Sequence, residues 1–147
     1  SEPQLMRRLF YSIAAVAALL LAPAAIACEG LSVEAPWVRQ PPPGAPVMAG
    51  FAQLLNQGKS AITVSTFDSA DFGRVELHRS SMVDGMMRME RIAALSVAPG
   101  ERVTLAPGGY HLMLMQPRQT IGERTRIQLH CADGTLSAEF PVRATAP

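Results

Sequence analysis

Charged side chains are scarce in this sequence, and neither sign predominates. They make up 17% of the 147 residues, with 13 lysine and arginine side chains against 12 aspartate and glutamate side chains. A nucleic-acid-binding domain or a basic membrane-binding face would carry a cluster of positive charge. We expect neither kind of surface here, because the charges are scattered singly along the chain.

Catalytic motifs are also lacking. The sequence contains no serine, histidine and aspartate arrangement, no glycine-rich phosphate loop and no carboxylate pair with an evident shared site. We therefore do not expect an enzyme. Aromatic residues are few, at 5%, but a hydrophobic fraction of 48% is enough for the packed core of one domain.

The longest apolar run lies near the N-terminus and is too short to cross a membrane. Two arginines precede an apolar stretch over residues 9–21, and Ala25-Ile26-Ala27 is a small-x-small cleavage site. A transmembrane helix needs about 20 apolar residues, and Pro23 follows this run closely. We predict that residues 1–27 are an upstream extension and a secretory signal peptide. Residues 28–147 would then be the exported domain, without a membrane span.

Only two cysteines occur in the sequence, Cys28 and Cys131. In an exported protein, an even pair is interpreted first as a disulfide. Cys28 would also be the first residue after cleavage, which is where lipoprotein precursors carry their acylated cysteine. The disulfide is the preferred interpretation, and a lipid anchor at Cys28 is the alternative.

The rest of the chain consists of short apolar segments separated by turn residues. Alternation over residues 31–37 predicts a half-buried strand, and residues 47–56 form a nearly continuous apolar strand. Residues 61–67 are rich in β-branched side chains, and we expect them to pair with 47–56 as a hairpin. Asp133-Gly134 favours a final hairpin near the C-terminus. Eight or nine such strands predict an all-β fold, an antiparallel β-sandwich or barrel.

Two histidines and two methionines form a candidate metal-binding set in the middle of the chain. His78, Met89, His111 and Met113 are separated by ten, twenty-one and one residues. Imidazole and thioether together suit a soft cation, and Cu(I) fits that description best. Alone, each residue would more often be an ordinary surface or core residue. On a strand, however, His111 and Met113 would point to one face while the leucines beside them face the core.

The order and spacing of these four residues resemble the signature of the periplasmic copper chaperones of the PCuAC family. Three surrounding segments are also similar to that family: Val75-Glu76-Leu77-His78, Pro107-Gly108-Gly109-Tyr110-His111-Leu112-Met113-Leu114-Met115 and Ala35-Pro36-Trp37-Val38-Arg39. The resemblance covers nearly all of the chain after residue 28. It implies a cupredoxin-like antiparallel β-sandwich that binds Cu(I) through His78, Met89, His111 and Met113.

The same resemblance implies a metallochaperone rather than an enzyme. We expect a monomeric periplasmic protein that binds one copper ion and delivers it for assembly of the copper centre of cytochrome c oxidase. Its copper-accepting partner would be an oxidase subunit or a Sco-type chaperone. Thioether ligands suit this role, because thiolates would be consumed as disulfides in an oxidising compartment.

Two other classes of protein compete with this interpretation. A cupredoxin electron carrier would need a cysteine, a histidine and a methionine close together near its C-terminus. After Cys131 this sequence has neither histidine nor methionine. A metal-free structural sandwich is the other alternative, and it requires the four-residue spacing to be accidental.

Several neighbouring residues bear on the candidate site without belonging to it. If β-structure is regular, Glu76 and Arg74 share a face with His78, and either could orient its ring. Met115 lies farther along the same segment, and we expect it to pack rather than to bind. Three further methionines are expected to shield the site or to pack beneath its loop, with a role as additional sulfur donors as the alternative: Met82, Met86 and Met87.

Overall fold

The computed structural model of the protein describes residues 27–147, so the predicted signal peptide, apart from its last residue, lies outside the described residues. The described residues contain ten β-strands and no helix. Accordingly, they include no helix that is long and apolar enough to cross a membrane. The strands are β1 (Leu31–Arg39), β2 (Val47–Asn56), β3 (Ile62–Asp68), β4 (Phe72–Val83), β5 (Met86–Ile92), β6 (Leu95–Val97), β7 (Arg102–Leu105), β8 (Tyr110–Pro117), β9 (Arg124–Cys131) and β10 (Gly134–Arg143).

The strands follow the order β5-β4-β8-β7-β2-β1-β10-β9-β3-β6. Neighbours are antiparallel except for β1 with β10 and β7 with β8. Two junctions are short: β1 and β10 are paired at two positions, and β3 and β4 only at Phe67 and Val75. The sheet folds over at these junctions into two layers. The all-β sandwich predicted from the alternating pattern is confirmed.

The core lies between the two layers. Leu112 and Leu114 of β8 and Leu54 of β2 are almost completely buried from one layer, and Ile127 and Leu129 of β9 are buried from the other. Each side chain of this size contributes about 1.5 to 3 kcal/mol when it is removed from water. β8, the strand that carries His111 and Met113, is therefore held in place by its inward-facing leucines.

The predicted hairpin between residues 47–56 and 61–67 is wrong. β2 pairs with β1 on one side and with β7 and β8 on the other, whereas β3 pairs with β9 and β6. Buried Asn56 explains the change of layer. Its amide group donates to the carbonyls of Ser60 and Val97 at 2.8 and 2.9 Å, and its oxygen accepts from the Gly58 N–H at 2.9 Å. These bonds hold the connection in a turn that carries the chain across the sandwich.

The number of strands also exceeds the eight or nine expected. The additional strand, β6, is only three residues long and pairs with the start of β3. So short a segment gives too little alternation to be recognised as a strand from its sequence.

Cys28 and Cys131 are joined by a disulfide, with their Cα atoms 5.5 Å apart. Cys28 precedes β1 and Cys131 ends β9, so the bond closes a loop with a sequence separation of 103. In the chain-entropy account, a loop of that length stabilises the fold by about 4 to 5 kcal/mol. Asp133 reinforces this junction, because its carboxylate accepts hydrogen bonds from the N–H groups of Cys28 and Glu29 at 2.8 and 3.1 Å.

Asp133→Asn should lower the free energy of unfolding at neutral pH, because an amide NH₂ replaces one of the two acceptor oxygens. The hydrogen bonds from Glu29 and Cys28 lower the pKa of Asp133 from its ordinary value of 3.8. The stability that the carboxylate contributes is therefore present above that value and is lost as the pH falls through the lower folded pKa. Urea unfolding over a pH series should reveal a gap between parent and variant that narrows in acid. A gap of equal size at neutral and acidic pH would contradict this account.

Candidate metal centre

The four predicted ligands lie on one face of the three adjacent strands β5, β4 and β8. His78 of β4 is directly opposite His111 of β8 in the antiparallel register. Met113 follows His111 by two residues, and Met89 of β5 is opposite Ser80, two residues beyond His78. Directly opposed residues and residues two apart on a strand share a face. The fold therefore brings all four side chains to the same side of the sheet.

The other face of β4 and β8 belongs to the core, which is why the orientation of these two strands is fixed. Leu112 and Leu114 alternate with the β8 ligands and are 1% and 0% exposed. Val75 and Leu77 alternate with His78 on β4 and are also buried. A slip of one residue in register would move all these apolar side chains out of the core. Burial of the leucines thus determines which way the histidines point.

The two imidazole rings form a close pair. Their centroids are 5.9 Å apart and their planes are inclined by 45°. His111 is buried, with 6% of its surface exposed, and His78 is half-buried. Neither ring stacks on the other, so the edges of both remain directed at the surrounding space.

His111 is anchored through one ring nitrogen. Its Nδ1 lies 3.0 Å from the carbonyl oxygen of Gly109. Because a carbonyl can only accept a hydrogen bond, Nδ1 must carry the proton. In the neutral ring, Nε2 of His111 then holds the free lone pair.

His78 is anchored through the opposite nitrogen. Its Nε2 lies 2.8 Å from Oε2 of Glu76, and a carboxylate accepts the hydrogen bond. The Nδ1 atom of His78 is buried and has no hydrogen-bond partner among residues 27–147. A buried polar atom without a partner is costly in a native structure and calls for an explanation. In the neutral ring, this nitrogen carries a free lone pair that is available to a metal ion.

Met113 and Met89 differ in their exposure and in their position relative to the two histidines. Met113 is half-buried and lies directly opposite Glu76, beside His111 on the same strand. Met89 is 54% exposed and lies on β5, two strands away from β8, a separation of about 10 Å. The residue opposite Met89 is Ser80, whose N–H donates to Gly109 at 3.1 Å. Met89 is therefore the more exposed of the two thioethers and lies on the strand farther from His111.

Glu76 is the main electrostatic feature of the site. The hydrogen bond from His78 lowers its pKa, and the positive charges of Arg91 and Arg74 act in the same direction, while burial opposes them. The guanidinium groups of Arg74 and Arg91 lie 3.5 and 3.6 Å from Oε1 of Glu76. Glu76 is therefore ionised at neutral pH and is already shared among three partners. Of the two residues that could orient His78, Glu76 is the one that contacts its ring.

Two features of the site were not anticipated from the sequence. The Gly109 carbonyl could not be identified as the partner of His111, because backbone acceptors leave no mark in a sequence. Arg91 could have been found, since it follows Met89 by two residues on β5 and therefore shares its face.

Other candidate groups lie elsewhere. Met115 is half-buried on the same face of β8, opposite Val47 and Arg74, which agrees with the expected packing role.

Cys28, Cys131 and Asp133 also place three donor atoms within 4.8 Å of one another. Both sulfurs of that group are in the disulfide, so neither is available as a thiolate ligand.

Solved PCuAC domains have the same fold as this protein. The copper-bound PCuAC domain from PmoF2 is 24% identical, with a TM-score of 0.65 over 82% of this chain and 97% of that domain. The Cu(I) form of DR1885 from Deinococcus radiodurans is also 24% identical, with a TM-score of 0.51 over 88% of this chain and 84% of that one. The predicted cupredoxin-like sandwich is thus confirmed, and this likeness is one of fold.

The sequence identifies the family more closely. Residues 31–142 match the LpqE-like family, described as "Putative lipoprotein LpqE-like". The protein belongs to this family. The predicted resemblance to PCuAC proteins is supported at the level of the fold, and membership of the PCuAC family itself stays a prediction. A curated relative, "Putative lipoprotein Lxx21020" from Leifsonia xyli subsp. xyli (strain CTCB07), is 27% identical over 112 residues, 74% of this chain and 66% of the relative. The chain therefore spans just under two thirds of the length of that relative.

We expect Glu76→Gln to weaken metal binding at this face by about tenfold or more, because partners that orient a ligating histidine commonly have effects of that size. The neutral amide still fits beside His78 but no longer holds its N–H as strongly. Competition titration with Cu(I) measures the change. Glu90→Gln is the matched control, because Glu90 lies on the same hairpin and pairs with Arg79 on the opposite face. Equal losses in both variants would contradict an orienting role for Glu76.

Proposed function

We propose that this protein is an exported Cu(I) metallochaperone whose ion is held by His78, Met89, His111 and Met113. The observation that carries the proposal is the complementary anchoring of the two histidines. His111 is tied by Nδ1 to Gly109, His78 is tied by Nε2 to Glu76, and each ring keeps its other nitrogen free. Metal-binding histidines are typically fixed in this way by a carboxylate or a carbonyl behind the ring.

The donor set fits a soft monovalent ion. Two imidazoles and two thioethers are neutral, so they do not compensate the charge of the metal. The charged neighbours add to this effect, because one carboxylate, Glu76, is paired with two arginines. The positive charge of a bound metal ion is therefore repelled less by these arginines when the ion is Cu(I) than when it is Cu(II). The buried, unpaired Nδ1 of His78 also gains a partner when the ion binds.

Carriage of copper is favoured over electron transfer. Blue-copper centres use a cysteine thiolate, and both cysteines of this chain are in the disulfide. The candidate site also has one exposed ligand, Met89, on the edge strand β5. An exposed thioether can leave the ion and let an acceptor's ligand enter, which supports stepwise delivery. Two proteins of the same fold, the PCuAC domain from PmoF2 and DR1885, have been solved with copper bound, which agrees with this proposal.

We further propose that the protein works in the periplasm and hands its copper on for cytochrome c oxidase assembly. The acceptor would be an oxidase subunit or a Sco-type chaperone. The predicted signal peptide over residues 1–27 and the disulfide between Cys28 and Cys131 support an oxidising compartment. We propose that the chain acts as a monomer.

Lipid anchoring at Cys28 and the disulfide exclude each other, because acylation of lipoproteins consumes the cysteine sulfur. The relatives described as lipoproteins make this alternative worth a direct test. We propose the disulfide form, in which Cys28 is 1% exposed and its sulfur is bonded to Cys131. Intact-mass measurement of the exported protein distinguishes a loss of two hydrogens from the gain of a diacylglyceryl group.

The carrier proposal is tested by titrating the purified protein against a colorimetric Cu(I) chelator. We expect one equivalent to be bound tightly, and we expect His111→Ala and Met113→Leu each to weaken it by at least about tenfold. Met113→Leu changes volume little, so its effect reports the lost thioether. Met115→Leu is the matched control, since Met115 lies two residues farther along the same face of β8. A parent that binds no copper, or variants that bind as well as the parent, would refute the four-ligand site.

A further inference from the structure

The exposed apolar surface of the protein is concentrated on one hairpin. Among residues 27–147, every large apolar side chain that is exposed lies at the tip of the β4–β5 hairpin or just beside it: Met82 (64%), Val83 (40%), Met86 (68%), Met87 (61%) and Met89 (54%). The expectation that Met82, Met86 and Met87 pack beneath a loop is wrong, because their side chains are largely exposed, and a role in shielding the site stays a prediction. The solvent exposure of four methionine side chains on one hairpin therefore needs another explanation.

The register of the hairpin divides the methionines between its two faces. Met82 is directly opposite Met87, and Met89 follows Met87 by two residues, so all three lie on the face that carries His78. Met86 is opposite Val83 and lies on the other face. The turn between the strands is tight, because Asp84 and Gly85 both have positive φ angles of 51° and 77°. Such a turn fixes the register and with it the opposition of Met82 and Met87.

On the face that carries His78, the paired side chains nearest the turn are the two soft donors Met82 and Met87. On β4, Ser80 is the only residue of this face between Met82 and His78. The ion pair between Arg79 and Glu90 lies on the opposite face. A weakly solvated soft cation is therefore the ligand that this face of the tip can bind, whereas Ca²⁺ or Mg²⁺ would require oxygen ligands.

We propose that Met82 and Met87 form a second, weaker Cu(I) site and that Met89 passes the ion from this site to the four-ligand centre. Each step is a ligand exchange in which one thioether or imidazole binds before another leaves. No electron is transferred, so the ion stays Cu(I) throughout. The transfer step rests on the proposed function, whereas the tip site does not depend on it. Its occupant is a monovalent soft metal ion, either free or released from a donor.

Distances in a regular hairpin permit each step of this route. Opposed side chains such as those of Met82 and Met87 have Cβ atoms about 4.5 to 5.5 Å apart. Met89 lies about 6.6 Å farther along β5 than Met87, on the same face. His78 is the diagonal neighbour of Met89, at about 7 to 8 Å, which long side chains can bridge. Met89 therefore lies within reach of both sites.

The tip site is tested by following the methionine methyl signals by NMR during titration with Ag(I), a soft monovalent ion that resists oxidation. We expect the Met82 and Met87 signals to move after those of Met89 and Met113, while Met86 and buried Met48 stay in place. Met82 and Met87 signals that never move, or move no more than Met86, would overturn the proposal. Shifts at Met82 and Met87 without any at Met113 would instead leave the tip site standing and refute the four-ligand centre.

The transfer step is tested by the rate at which Cu(I) passes from a chelator to the protein. We expect Met82→Leu/Met87→Leu to slow loading by about tenfold, because the ion is no longer concentrated beside the centre, while the equilibrium affinity stays within about twofold. Met86→Leu is the matched control, since it removes an equally exposed thioether from the other face of the hairpin. Equal rates in both variants would overturn the transfer route even if the four-ligand centre binds copper normally.

Discussion

The antiparallel pairing of β4 with β8 is the interaction on which the candidate site depends. It sets His78 directly opposite His111 and Glu76 opposite Met113. The pairing is stabilised on the core side of the sheet, because Leu77 and Leu112 are also opposed and are both buried in the core. A side-chain period of two then directs the alternate residues to the outer face. The same apolar packing that stabilises the sandwich thus pre-organises the two imidazoles at no separate conformational cost.

The outer face combines rigid and exposed candidate ligands for the proposed Cu(I) ion. His111 is buried and anchored by a backbone carbonyl, and His78 is anchored by a carboxylate that two arginines stabilise. At the other extreme, Met89 lies on an edge strand and is largely exposed. A carrier needs both properties. Anchored imidazoles reduce the entropy lost on binding, while an exposed thioether gives an acceptor a position at which to enter. Exposure of Met82 and Met87 on the same face extends that entry path outward.

Local patterns in the sequence were sufficient to predict most of the strands and the common face of His111 and Met113. Alternation in β8 separated His111 and Met113 from Leu112 and Leu114, and the burial of the two leucines agrees with it. Asp133-Gly134 identified the turn of the final hairpin, since such a pair tolerates the required backbone conformations. Metal binding by His78, Met89, His111 and Met113 stays a prediction.

Long-range features could not be predicted in the same way. The partner of β3 depends on the fact that β2 already has neighbours on both sides, and on the hydrogen bonds of buried Asn56. Neither is visible in the local sequence of either strand. Exposure of the methionines at the hairpin tip was also missed. Beyond Arg79, β4 is paired with β5 but no longer with β8, and no local periodicity reports where a neighbouring strand ends.

The most direct test of the central claim is a ¹⁵N NMR measurement of the imidazole nitrogens before and after one equivalent of Cu(I). The account predicts that the metal-free protein carries its proton on Nε2 of His78 and on Nδ1 of His111. On loading, the signals of His78 Nδ1 and His111 Nε2 should shift, while His130, which contacts Asp68 and Thr135 elsewhere, should not. Proton positions opposite to these, or signals of His78 and His111 that are unaffected by Cu(I), would contradict the account.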